Sequence, residues 1–146
     1  MSEISKEISN VADIDPLALD EEFQHAPADY AYWSHQLSQA TKTALQAKFE
    51  REKTYARLLI EIRETTSKKT VDEVEARVIC CPEYEVAKLN EIESDAERAR
   101  LYGIVEALRV KKDMLIQLGA HVRAEMDRDP QIRELHRGRR SMRTEE

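Results

Sequence analysis

Glycine and proline are scarce in this chain, three and four among 146 residues. A fold built from many short strands needs turn residues every few positions, so the scarcity excludes a loop-rich β-protein. Aromatics are also few, at 5%, while charged residues make up 36%. That balance cannot fill a thick core, but it suits long helices that each bury a narrow apolar stripe. It also argues against a deep, water-excluding pocket. No stretch approaches the roughly 20 apolar residues of a membrane span. The opening MSEISKEISN has neither the basic nor the apolar region of a signal peptide. The expectation is a cytoplasmic protein with no membrane partner.

Cysteine is limited to Cys80 and Cys81, side by side before Pro82 in VICCPEYE. Structural zinc sites use spaced cysteine pairs with further Cys or His partners, and redox sites use C-x-x-C. Neither pattern occurs, and the histidines at 25, 35, 121 and 136 are scattered. His35 and His121 fall on separate helical stretches without placed carboxylates. The cysteines therefore read as small apolar residues at a corner, with no metal. No Gly-rich phosphate loop, Ser-His-Asp order or paired-carboxylate signature stands out. The reading is a protein that is not an enzyme, with no catalytic residues and no cofactor.

What is present is an uneven distribution of charge. The net charge is −6, yet residues 1–29 carry one Lys against eight acids, and residues 30–69 carry eight bases against four acids. Residues 70–127 are acidic again, and the end of the chain, 128–146, carries six Arg against four acids. A local basic patch can contact nucleic acid whatever the whole-chain balance.

Three segments follow. Residues 1–28 read as an acidic, flexible N-terminal arm, either a solvated tail or a strap for a basic surface. Residues 29–128 read as a helical domain for oligomerisation and DNA binding, and 129–146 as a flexible basic tail. In the middle segment, Asp29 is a good N-cap, and Tyr30, Trp33, Leu37, Ala40, Ala44 and Ala47 recur at spacings of three and four, with Leu58 and Ile62 resuming the face. That predicts a long helix from Asp29 to about Glu64. Thr70 and Glu73 have capping-box spacing, so a short helix is expected over 71–79. Pro82 suits the first turn of the next helix, which should run to about Arg128 before Pro130. Its apolar positions are Ile92, Leu101, Tyr102, Val105, Leu108, Leu115, Val122 and Met126, with Ala96, Ala99 and Gly103 able to face the alanines of the first helix. The expected fold is all-α: a long antiparallel helical hairpin with a short helix at the corner. A single hairpin leaves Trp33, Tyr102 and the Leu and Ile side chains half covered, so a helical oligomer, such as a ring, is expected to complete their burial.

Lys42, Lys48, Arg51, Lys53 and Arg57 descend the second half of the first helix, and Lys68 and Lys69 follow it. Glu50, Glu52 and Glu61 interleave, so the run reads either as a solvated, salt-bridged face or as a phosphate-binding surface multiplied by oligomerisation. The candidate DNA contacts are Lys48, Arg51, Lys53, Arg57, Lys68 and Lys69. Arg137, Arg139, Arg140 and Arg143 in the tail are either further phosphate contacts or solubilising charges.

The stretches YAYWSHQLSQATKTALQAKFEREKTYARLLIEIRE and EYEVAKLNEIESDAERARLYGIVEALRVKKDMLIQLGAHVRAEM resemble the UvsY-type recombination mediator proteins of bacteriophages. The resemblance covers roughly residues 30–127 in layout and scattered positions. It implies a small helical protein that assembles into a ring, binds single-stranded DNA, and helps load a RecA-like recombinase onto strands covered by single-strand-binding protein. The family's basic residues before the inter-helix loop would correspond to Lys53 and Arg57. The alternative expectation is a coiled-coil structural or assembly protein of a phage particle, a scaffold or tail chaperone, which does not need that basic stretch.

Overall fold

The computed structural model describes residues 10–65 and 70–128, and among these there is no strand. Three helices account for nearly all of them: α1, Leu19–Thr65; α2, Val71–Ile79; and α3, Pro82–Arg128. The chain divides into two compact units, Met1–Tyr30 with Glu106–Glu146, and Ala31–Val105.

The unit 31–105 holds most of α1, all of α2 and the first half of α3. Ala44, Ala47 and Leu58 of α1 are buried with Leu101, Ile104 and Val105 of α3 and with Val74 and Val78 of α2. Arg51 meets Glu91, and Arg57 meets Glu83, so the α1 position rises as its α3 partner falls and the two helices run antiparallel. The corner is built as its residues dictate. The Thr70 hydroxyl accepts from the Glu73 N–H at 3.4 Å, and the Glu73 carboxylate accepts from the Thr70 N–H at 3.3 Å. Cys80 caps the C-terminus of α2, its N–H donating to the Ala76 carbonyl at 3.1 Å. The Cys81 carbonyl then accepts the first bond of α3, from the Glu85 N–H at 3.1 Å. Both thiols are free, Cys80 exposed and Cys81 half-buried.

In the other unit, residues 10–30 and 106–128 are described. Ala18, Leu108 and Leu115 are buried there. Lys111 bonds Glu22 at 2.8 Å, and Arg109 donates to the Tyr30 hydroxyl at 3.4 Å. The helix start differs from the expectation. α1 begins at Leu19, runs through Pro27, and so takes in residues 19–28 of the stretch read as a flexible arm. Asp29 is therefore mid-helix and not a cap. A proline inside a helix removes one backbone hydrogen bond and crowds the preceding turn, at a cost of about 3 kcal/mol. What offsets it lies in the turns before Pro27 and their contacts with α3: Asp20, Glu21 and Glu22 complement the helix dipole, Glu22 holds Lys111, and Phe23 packs where α3 has no side chain, at Gly119. A Cβ on Gly119 would lie 3.1 Å from the Phe23 ring.

Two expected core residues fall outside the chain's own core: Ile92 is 54% exposed and Tyr102 56%. Ala96 and Ala99 are exposed as well, so they do not face the alanines of α1. Leu58, Val105, Leu108 and Leu115 are buried, and Trp33, Leu37 and Val122 are half-buried. The reason is phase. Leu101, Leu108, Leu115 and Val122 are each seven residues apart, which keeps one stripe on one face. Tyr102 lies one step off that stripe. Two heptads before Val105 comes Glu91, not Ile92.

Candidate nucleic-acid interface

The four basic residues singled out on α1, Lys48, Arg51, Lys53 and Arg57, do not form one patch. Arg51 occupies a core position, seven residues from both Ala44 and Leu58. Its Nε donates to Glu91 Oε2 at 3.1 Å and its Nη2 to Glu91 Oε1 at 3.3 Å, with Glu52 a further 3.5 Å partner. Lys88 adds a 2.6 Å bond to the same carboxylate. Glu91 is the one buried charged residue among the described residues, at 7% exposure. The ammonium of Lys88, then the guanidinium of Arg51, hold its carboxyl below the usual carboxylate range. In return, the hydrogen bonds to Glu91 raise Arg51. A guanidinium committed this way is a structural group of the hairpin rather than a free phosphate contact.

Arg57 is exposed but also engaged. It bonds Glu83 across the hairpin and lies 3.8 Å from Glu61, and the Glu83 bond raises its pKa. Nearby, the Tyr55 and Tyr84 rings pack with centroids 5.8 Å apart. Lys53 is open, with only a 3.8 Å i,i+3 approach to Glu50. Such an exposed contact is weak and does not sequester the ammonium. Lys48 and Lys42 are exposed and have no ion pair among the described residues. Lys68 and Lys69 lie outside the described residues, as do the tail arginines Arg137, Arg139, Arg140 and Arg143.

The available cations of α1 are therefore Lys42, Lys48, Lys53 and, in its last turn, Arg63, with Arg57 half committed. Lys42 and Lys53 lie on one flank of the helix and Lys48 on another. The residue that the sequence reading missed is Glu91, which takes Arg51 out of the set. The signal was there: a charged residue in core phase on each helix, of opposite sign.

A shallow depression follows Ser38, Lys42, Leu45 and Phe49 along one face of α1. Among the described residues no group of three or more His, Cys, Asp or Glu is placed to hold a metal ion, and no helix is long and apolar enough to cross a membrane.

Fold and surface together define an all-α protein built on an antiparallel helical hairpin that presents lysines on its first helix. No family model, curated protein or solved structure matches the chain.

Proposed function

We propose that this protein is a recombination mediator without enzymatic activity, an oligomer of helical hairpins that binds single-stranded DNA. In this role it helps load a RecA-like recombinase onto strands covered by single-strand-binding protein. The observation that carries the reading is the exposed lysine set on α1, Lys48 and Lys53 with Lys42, on a helix whose Arg51 and Arg57 are already held by carboxylates. The basic balance of residues 30–69 supports it, as does the resemblance in layout to UvsY-type mediators. Lys48 and Lys53 supply phosphate contacts, with Lys68 and Lys69 as further ones. Arg51 and Arg57 keep the hairpin closed. Such binding is sequence-tolerant and strongly salt-dependent, and its strength comes from repeating a weak site around an assembly.

Fluorescence anisotropy with a labelled oligothymidylate tests this. Lys48→Ala/Lys53→Ala is expected to weaken binding about tenfold and to flatten the salt slope by about two. An unchanged affinity in that variant would sink the assignment.

One observation favours a second reading, a coiled-coil structural or assembly protein of a phage particle. Leu45 and Phe49 on α1, and Val86 and Leu89 on α3, are well exposed, which suits a building block whose task is packing. Complete absence of binding to the oligonucleotide at low salt selects it.

A further inference from the structure

Within unit 31–105 the two long helices, α1 and α3, each carry two apolar stripes, and only one of the two is used. On α1 the stripe through Leu37, Ala44 and Leu58 faces α3. A second runs through Leu45, Phe49, Ala56 and Ile60 on the far side, where Leu45 is 61% exposed and Phe49 62%. On α3 the face centred on Glu91 meets α1, while Val86, Leu89 and Ala96, flanked by Ile92, lie on the opposite side, with Val86 67% exposed. Since each helix turns its inner stripe to the other, the two outer stripes lie on opposite edges of the hairpin, and the hairpin itself cannot cover either. Exposed apolar side chains recurring along one face in this way mark an interaction site.

We propose that the outer edge of α1 packs against the outer edge of α3 of a second copy of this chain. Three features select that occupant. The side chains complement one another in size: with two copies level, the register set by Arg51 and Glu91 puts Leu45 opposite Ala96, Phe49 opposite Ile92, and Ala56 opposite Val86. Charge complements too. Residues 83–97 of α3 carry six acids against Lys88 alone, whereas residues 42–64 of α1 carry six bases against four acids. Lys42 and Lys53 fall seven residues before Phe49 and Ile60, and Glu85 and Glu93 fall seven residues from Ile92 and Val86, so these charges lie along the two stripes themselves. Pairing like edges would set lysines against lysines or acids against acids, so the contact joins unlike edges. A contact between unlike edges leaves one of each open at the ends and repeats, closing into a ring or growing as a filament. The inference gives geometry to the self-assembly in the proposed function and rests on that assembly, not on DNA binding. Lys48 lies on another flank of α1, outside this contact, where phosphate can still reach it.

Sedimentation velocity of the full chain at about 10 μM tests the pairing with two edge variants, Leu45→Gln/Phe49→Gln and Val86→Gln/Leu89→Gln. Each should be a monomer, and their equimolar mixture should form a dimer and nothing larger, because each variant keeps one sound edge. A mixture that stays monomeric, or a variant that keeps the wild-type mass, overturns the edge pairing. A wild-type monomer overturns the assembly itself. Should circular dichroism show either glutamine variant unfolded, charge reversal decides. Lys42→Glu/Lys53→Glu and Glu85→Lys/Glu93→Lys should each lower the mass, and combining all four in one chain should restore it. Failure to restore counts against the proposal.

Discussion

Glu91 shows how one side chain can redirect the reading of a surface. Its carboxylate takes three donors, two from Arg51 and one from Lys88, and sits in the core stripe of α3. Removing only one partner leaves an uncompensated charge against apolar neighbours, whereas replacing both by apolar residues removes the problem. Glu91→Leu is therefore expected to lower the urea midpoint, and Arg51→Leu/Glu91→Leu to recover most of the loss. If the double variant is no better than the single one, the pair is not coupled as described. The pH dependence has a definite sign. Lys88 and Arg51 hold Glu91 below its ordinary value, and Lys111 does the same to Glu22. The stability these carboxylates contribute is fully present above about pH 4.3 and is lost as pH falls through their depressed folded values. Equilibrium unfolding measured from neutral pH down to about pH 3 should show stability declining below that point, and less steeply in Arg51→Leu/Glu91→Leu. Glu97, lowered by Arg100, is half exposed, and solvent screens its share. Much of this was legible in the sequence. Heptad counting from Leu58 lands on Arg51, and from Val105 on Glu91. The pair was hidden because Arg51 sits in a basic run, where charge draws attention away from phase. Ile92 and Tyr102 show the converse: both are apolar, both are out of phase with the inner stripe, and the hairpin leaves both exposed.

At the scale of the elements, the corner was readable almost residue by residue. Thr70, Glu73 and Pro82 act through their immediate neighbours, and local chemistry of that kind does not wait on packing. The start of α1 was not readable, because what carries the helix through Pro27 lies far away in sequence. Glu22 needs Lys111, and Phe23 needs the gap at Gly119. Pro27 is itself exposed, so its ring contributes little packing to weigh against the lost hydrogen bond. Pro27→Ala is accordingly expected to stabilise the chain by about 1–3 kcal/mol, the helix-interior cost less the entropy that proline removes from the unfolded state. Thermal denaturation reads this as a raised midpoint. A lowered midpoint would mean that the proline is fitted to its place.

For the whole molecule, the fold class followed from composition and spacing, since few turn residues and two long apolar periodicities leave little besides a hairpin. The interface did not follow so directly. Sequence places bases on a helix but cannot say which of them a carboxylate on the other helix will claim, and two of the four candidate contacts on α1, Arg51 and Arg57, are claimed. In the proposed function the remaining lysines give each copy only weak phosphate binding, so that function depends on several copies acting on one strand. Sedimentation of a fluorescent oligothymidylate with the unlabelled full chain measures both halves of that claim at once. At about 50 mM salt the label should sediment in a complex of several chains, and it should be released steadily as salt rises to about 200 mM. An oligonucleotide that sediments as free strand at the low-salt end, beside protein that is folded, would contradict the account.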